Sequence, residues 1–199
     1  VRSIHATDVG TCALTAAGGL LCWGWNGSGR LGIGISSGNE PPTVVTSDAT
    51  YLAVDTAASA GHTCALTAGG RVRCFGDNGY GQLGDASYTA RFSPTPPSGN
   101  GEFNRLAVGA WHTCVLTPAG AAACFGAGGN GQLGAGTYSG NNLPQPVPGL
   151  AGLSVVGAGE IHTCVAEAGG EVWCFGGNGA GQLGDGTYTQ SPSPVVVTG

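Results

Sequence analysis

The chain has 199 residues, of which 40 are glycine and 11 proline, so roughly a quarter of it disfavours regular structure. The glycines recur at ordered places without a three-residue period, which excludes collagen, and a hydrophobic fraction of 41% argues against a disordered tract. Eleven acidic residues against six arginines and no lysine give a net charge of −5, poorly suited to gripping a nucleic-acid backbone, and no apolar run is long enough for a membrane span. The chain opens without methionine or a signal-like apolar region and so reads as a processed or excerpted product.

Four copies of one unit follow each other along the chain, at residues 1–49, 50–101, 102–151 and 152–199, and together they read as a single module over 1–199. Cysteine pairs mark them: Cys12 and Cys22, Cys64 and Cys74, Cys114 and Cys124, Cys164 and Cys174, ten apart within a pair and 50 to 52 apart between pairs. Each unit begins with a short β segment, as at Val54, 106–108 and 154–156. A strand carrying the first cysteine comes next (63–66), then a turn (67–70) and a strand carrying the second (71–75). A Gly-rich loop follows at 76–84 and its equivalents. Proline-bounded segments at 41–45, 144–147 and 192–197 then read as a fourth, outer strand, where proline is tolerated. No window supports an amphipathic helix. The fold class expected is all-β, a β-propeller of four repeated four-stranded blades.

A three-residue turn at 68–70 places Leu66 opposite Val72 and Cys64 opposite Cys74. Cys64, Leu66, Val72 and Cys74 then share one face, and Thr63, Ala65, Arg73 and Phe75 the other. Directly opposed cysteines permit a disulfide in every unit; four pairs of buried thiols are the alternative. The even cysteine count fits an oxidising compartment, and with it a secreted, periplasmic or cell-surface location.

The run Gly61–Gly84 reads GHTCALTAGGRVRCFGDNGYGQLG; 111–134 and 161–184 repeat it closely, and 9–32 more loosely. It resembles the repeat of the regulator of chromosome condensation family, and the likeness covers nearly the whole chain. The resemblance implies a propeller of four-stranded blades, seven in characteristic members. The family's eukaryotic founder promotes nucleotide exchange on a small GTPase and engages chromatin, and a bacterial relative is a secreted β-lactamase inhibitor, so membership alone does not select an activity. The chain departs from the repeat at Gly10, where the other units have His62, His112 and His162. Arg30 replaces the glutamine of Gln82, Gln132 and Gln182, and Gly128 the asparagine of Asn26, Asn78 and Asn178. The paired cysteines resemble the secreted bacterial members.

The stretch from Cys174 through the chain end to Cys12 covers 37 residues, close to the 40 to 42 that separate successive pairs. One expectation is a ring closing with residues 193–197 beside 1–6; the other is an open segment that pairs with another chain.

The three repeated histidines are spread one per unit, so they read as hydrogen-bonding within a blade or to the next rather than as a zinc set, and no metal is expected. The Gly-rich loops lack lysine and open no helix, so no nucleotide or other cofactor is expected. Asp77, Asp85, Asp185 and Glu40 read as solvent-facing turn residues. Asn26-Gly27-Ser28 is a glycosylation sequon. Leu31, Leu83, Leu133 and Leu183 read as loop anchors, and Trp23, Phe75, Phe125 and Phe175 as blade-packing residues. Trp25, Trp111, Tyr80, Tyr138 and Tyr188 are the candidate interface residues, because they vary among units or lie beside loops. No catalytic residue is assigned. The function expected is a non-catalytic, extracellular protein-binding or self-assembling structural module, whose partner is another protein or copies of itself, with no nucleic acid. The alternatives are a secreted inhibitor or receptor domain and an enzyme with its site in the propeller channel.

Overall fold

The computed structural model describes residues 1–99 and 101–198; residues 100 and 199, which fall in the second and fourth expected repeats, lie outside the described residues. Among the described residues sixteen strands form four antiparallel sheets, each in simple up-and-down order. The first sheet holds β1 (Ser3–Ala6), β2 (Gly10–Leu14), β3 (Leu20–Trp25) and β4 (Asn39–Val44). The second holds β5 (Tyr51–Asp55), β6 (His62–Thr67), β7 (Val72–Gly76) and β8 (Arg91–Thr95). The third is β9 (Arg105–Val108), β10 (His112–Leu116), β11 (Ala122–Gly126) and β12 (Asn141–Pro146), and the fourth β13 (Leu153–Ala158), β14 (His162–Glu167), β15 (Val172–Gly176) and β16 (Ser191–Val196). No helix among the described residues is long and apolar enough to cross a membrane.

The central hairpin of each sheet sets the register. Cys64 faces Cys74 and Leu66 faces Val72 across β6 and β7, and the other three hairpins pair their cysteines in the same way. The opposed Cα atoms are 4.1 to 4.2 Å apart, the short spacing of a non-hydrogen-bonded antiparallel pair, and each pair is joined as a disulfide. The fourth strands carry proline at their outer edge, where a missing N–H breaks no ladder.

The hydrophobic cores lie between sheets rather than within them. Cys12, Leu14 and Leu31 of the first sheet meet Tyr51, Val54 and Phe75 of the second. Cys64, Leu66 and Leu83 meet Val108, Val115 and Phe125 of the third, and Cys114, Leu116 and Leu133 meet Val165 and Phe175 of the fourth. Each fully buried phenylalanine contributes about 2–3 kcal/mol. Its ring lies on a glycine of the preceding unit's loop. A Cβ on Gly84 would sit 2.7 Å from the Phe125 ring, and φ there is +68°, so both space and backbone require glycine. Gly32 under Phe75 and Gly134 under Phe175 repeat the arrangement.

The first strands of successive sheets contact one another, β1 with β5, β5 with β9 and β9 with β13, so they line the inside of a fan whose fourth strands lie outside. Among the described residues no comparable packing joins the fourth sheet to the first. The ring-closing pairing of residues 193–197 with 1–6 is not formed: β1 pairs with β2 and β16 with β15. Among the described residues each sheet draws all four strands from its own unit.

Candidate binding groove between the second and third sheets

Successive sheets are locked by a hydroxyl shared between two groups of the preceding unit. Thr113 Oγ1 donates to the Gln82 carbonyl at 2.9 Å and lies 2.9 Å from His62 Nε2. One unit on, Thr163 Oγ1 donates to the Gln132 carbonyl at 3.0 Å and lies 2.8 Å from His112 Nε2. A hydroxyl has one proton, and the carbonyl takes it; the imidazole Nε2–H must therefore donate, which leaves the lone pair on Nδ1. Nδ1 of His62 and of His112 is buried without a partner. Burial, reinforced by the Arg30 charge, lowers the His62 pKa to about 3. Burial does the same for His112, helped by the repulsion it would meet from His62 and His162 if those rings were protonated too. These imidazoles are neutral packing elements, as expected of a histidine bonded to the next blade.

Gly10 removes the clasp between the first two sheets. Thr63 still donates to the Arg30 carbonyl at 3.2 Å, and a cavity of about 10 Å³, room for about one water, is bordered by Gly10, Thr11, Arg30, Leu31 and Thr63. A Cβ on Gly10 meets nothing closer than 3.4 Å. Gly10→Ala, whose methyl the open space accepts, is expected to stabilise the protein by about 0.5–1 kcal/mol, read as a higher urea midpoint; an unchanged or lower midpoint counts against this account of the site.

Three of the four Gly-rich loops are wound around an asparagine. Asn78 Nδ2 donates to Asp85, Ser87 and Thr89 oxygens, and its Oδ1 accepts the Leu83 N–H at 3.0 Å. Asn178 repeats this with Asp185, Thr187, Thr189 and Leu183. Asn26 is likewise fully buried and bonded to Ile35 and Ser37, so the sequon does not present its side chain to solvent. Asp85 is not the solvent-facing residue expected. Its side chain is nearly enclosed, held by Asn78 and Ser87 and paired with Arg91 at 2.6 Å. Burial opposes its ionisation, yet hydrogen bonds from Ser87, Arg91 and Asn78 and the Arg91 charge outweigh burial and hold the carboxyl below its usual range. In the third unit Gly128 replaces the asparagine, and the Ser139 carbonyl fills the place a Cβ would take.

Where the second unit's loop leans on the third sheet, an open groove of about 550 Å³ is lined by Tyr80, Tyr88, Trp111 and Tyr138 over Gly128 and Gly129. Tyr80 and Trp111 tilt toward each other, ring centroids 6.1 Å apart. Gln82 holds Tyr80 in place: its Oε1 accepts the Tyr80 N–H at 2.8 Å and its Nε2 donates to Asp77 at 2.9 Å. Tyr80 is 54% and Tyr138 47% exposed. Three of the five candidate interface residues thus meet. Trp25 lies apart, under the Arg30 guanidinium at 4.6 Å, and Tyr188 is 75% exposed at the open end of the fourth unit. Tyr88 joins the groove although it was not among the candidates. The signal was its register, four residues after Gly84, as Tyr138 and Tyr188 follow Gly134 and Gly184. Among the described residues no three His, Cys, Asp or Glu side chains gather as a metal set.

The regulator of chromosome condensation (RCC1) repeat family model matches residues 17–66, 69–116 and 120–166, and a second model of that repeat matches 53–82. Protein RCC2 of Homo sapiens is 36% identical over 107 residues, covering 50% of this chain and 20% of that protein. The RCC1 domain-containing protein RUG3, mitochondrial, of Arabidopsis thaliana is 36% identical over 95 residues, covering 48% and 21%. Human WBSCR16 superposes with a TM-score of 0.88 at 25% identity, over 99% of this chain and 52% of that one. Prp20p of Saccharomyces cerevisiae, studied for its binding to Gsp1p and histones, superposes with a TM-score of 0.83 at 21% identity, over 98% and 50%. The chain therefore spans about a fifth of those curated relatives and about half of those solved structures. The expected secreted, periplasmic or cell-surface location is corrected by these relatives: a mitochondrial protein, RCC2 and Prp20p point away from it. The physical reason is that opposed cysteines record the register of a hairpin, which is the same in any compartment.

Proposed function

Because this chain belongs to the regulator of chromosome condensation repeat family, we propose that it is a non-catalytic, protein-binding β-propeller module, one unit over residues 1–199 built from repeats 1–49, 50–101, 102–151 and 152–199. The observation that carries this reading is the aromatic groove between the second and third sheets. Positions the fold requires are alike from unit to unit: Leu83 recurs as Leu31, Leu133 and Leu183, and Phe75 as Phe125 and Phe175. Tyr80 and Trp111 are not. Their equivalents are Ser28, Asn130 and Ala180, and Val9, Gly61 and Ile161. Two large rings placed where the fold asks for nothing, Tyr80 half-exposed and Trp111 partly buried beside it, suit a protein surface. That Prp20p is described as binding Gsp1p and histones supports a protein as the ligand. A catalytic role in the channel has less support, since His62 and His112 are buried, neutral and committed to packing.

The test is a double variant, Tyr80→Ala with Trp111→Ile, which installs residues that the fourth unit carries at the same places. A partner captured by the native protein is expected to bind the variant at least about 10-fold more weakly, at a nearly unchanged unfolding temperature. Equal affinity for both proteins would refute the groove as the binding surface.

A further inference from the structure

The third unit's loop lacks an acceptor that the second unit's loop supplies for itself. In the second unit the Asp77 carboxylate receives two hydrogen bonds from its own loop, from Gln82 Nε2 at 2.9 Å and from the Gly79 N–H at 3.3 Å. Ala127 stands at the position of Asp77 in the third unit, where Gln132 and Gly129 repeat the two donors. Gln132 Oε1 accepts the Asn130 N–H at 2.9 Å as Gln82 Oε1 accepts that of Tyr80, so the two amides are oriented alike. Gln132 Nε2 therefore points to the place of the missing carboxylate. Neither it nor the Gly129 N–H has a hydrogen-bond partner among the described residues. Gln132 is only 1% exposed, yet it and Ala127 line the aromatic groove. An enclosed donor without an acceptor costs free energy that a bound ligand can recover.

The acceptor that fits this place is neutral. In the second unit the Asp77 side chain lies against Gly61, and the Arg30 guanidinium donates to the adjoining Ala60 carbonyl at 3.3 Å, so a cation stands near the carboxylate. Burial lowers the Arg30 pKa and the Asp77 charge pulls it back, as two charges within reach of each other do. The residue that stands to Ala127 as Arg30 stands to Asp77 is Gln82, and among the described residues no charged side chain lines the groove. A carboxylate entering there would lose water without meeting a counter-ion, on a chain whose net charge is already −5. A peptide carbonyl accepts the same two hydrogen bonds without that cost. Beside it, Tyr80 and Trp111 present tilted rings 6.1 Å apart, and the Trp111 indole N–H is a further donor without a partner among the described residues.

We propose that the groove accepts a proline-rich segment of the partner in the polyproline II conformation, with one carbonyl oxygen bonded to Gln132 Nε2 and the Gly129 N–H where the second unit has its Asp77 carboxylate. This rests on the reading of the groove as the binding surface. Such a segment is complementary on each count. Its rings lie on aromatic faces, and its carbonyls are free because the helix has no internal hydrogen bonds. Proline brings no N–H that would need an acceptor. The segment is extended before it binds, so little ordering entropy is lost.

The probe is an oligoproline peptide of about ten residues with a terminal fluorophore, compared with a Gly-Ser and a Glu-Ala peptide of equal length. Fluorescence anisotropy is expected to give saturable oligoproline binding with a Kd below about 1 mM, at least about 10-fold tighter than either comparison peptide. The side-chain amide protons of Gln132 are expected to move downfield in heteronuclear NMR spectra of the native protein. Ala127→Asp puts a carboxylate in the open place, and Gln132→Glu keeps the acceptor for Asn130 while removing the donor. Each is expected to weaken oligoproline binding at least about 10-fold with circular dichroism unchanged. No saturable binding, equal binding of the three peptides, preference for the acidic one, or an unmoved Gln132 amide would overturn the proposal. A partner that is lost with Tyr80→Ala and Trp111→Ile, yet is not displaced by oligoproline and binds Ala127→Asp normally, would overturn this inference and leave the groove standing. A partner indifferent to Tyr80 and Trp111 would remove both.

Discussion

Acidification from pH 7 to pH 4 is expected to remove most of the stability of the protein, through His62 and His112. Each has a folded pKa of about 3 against 6.5 for an unperturbed histidine, lowered by burial and then by repulsion: from Arg30 for His62, and for His112 from His62 and His162 if those rings were protonated too. The folded state therefore holds both rings neutral while the unfolded state binds protons. The stabilisation is fully present above pH 6.5 and falls away as the pH drops toward 3. At pH 4 the loss is about 3 kcal/mol per ring, set against a total of roughly 5–15 kcal/mol for a domain. Asp85 does not mimic this, because with its lowered pKa it loses its contribution only below the ordinary Asp value of 3.8. Urea midpoints at stepped pH are expected to fall between pH 6.5 and 4, and His112→Gln to reduce that slope by about half while costing some stability at pH 7. A flat profile across this window would show that the rings are not held neutral.

Removing the disulfides is the second large effect. Each closes a short loop between cysteines ten residues apart, worth ~2.5–3 kcal/mol in chain entropy, so the four together rival the stability of the whole domain. The double variant Cys64→Ala with Cys74→Ala is expected to lose at least that single-ring amount, and full reduction to unfold the chain at ordinary temperature. The sulfurs of Cys64, Cys74, Cys114 and Cys124 belong to residues with no exposed surface, so reduction of the native protein is expected to wait for opening of the sheets. Thermal melts with and without reductant measure the first effect, and thiol trapping over time the second. A melting temperature indifferent to reductant would contradict the account.

The repeated hairpin was legible because a single residue type reports its register: with Cys64 opposite Cys74, every neighbour's face follows from the two-residue strand period. Pro41, Pro144 and Pro192 marked the outer strands for a comparably local reason, the missing N–H. What joins the sheets was harder to read. His62 and its hydroxyl partner Thr113 lie 51 residues apart, and only the packing of one unit on the next brings them together. The open ends depend on the pitch of the fan, which no local pattern encodes. Tyr88 was legible in principle, since it holds the register of Tyr138 and Tyr188. The cysteines were read correctly for register and wrongly for compartment, because strand geometry opposes them wherever the chain resides.

The groove is tested most directly by replacing Tyr80 and, separately, Tyr138 with a benzophenone-bearing amino acid and irradiating the protein in its host cells. Both positions are expected to cross-link the same protein, the product being lost when Trp111→Ile is added, with no such product from the exposed Leu52 on β5. Cross-linking from Leu52 with none from Tyr80 or Tyr138, or products indifferent to Trp111, would contradict the account.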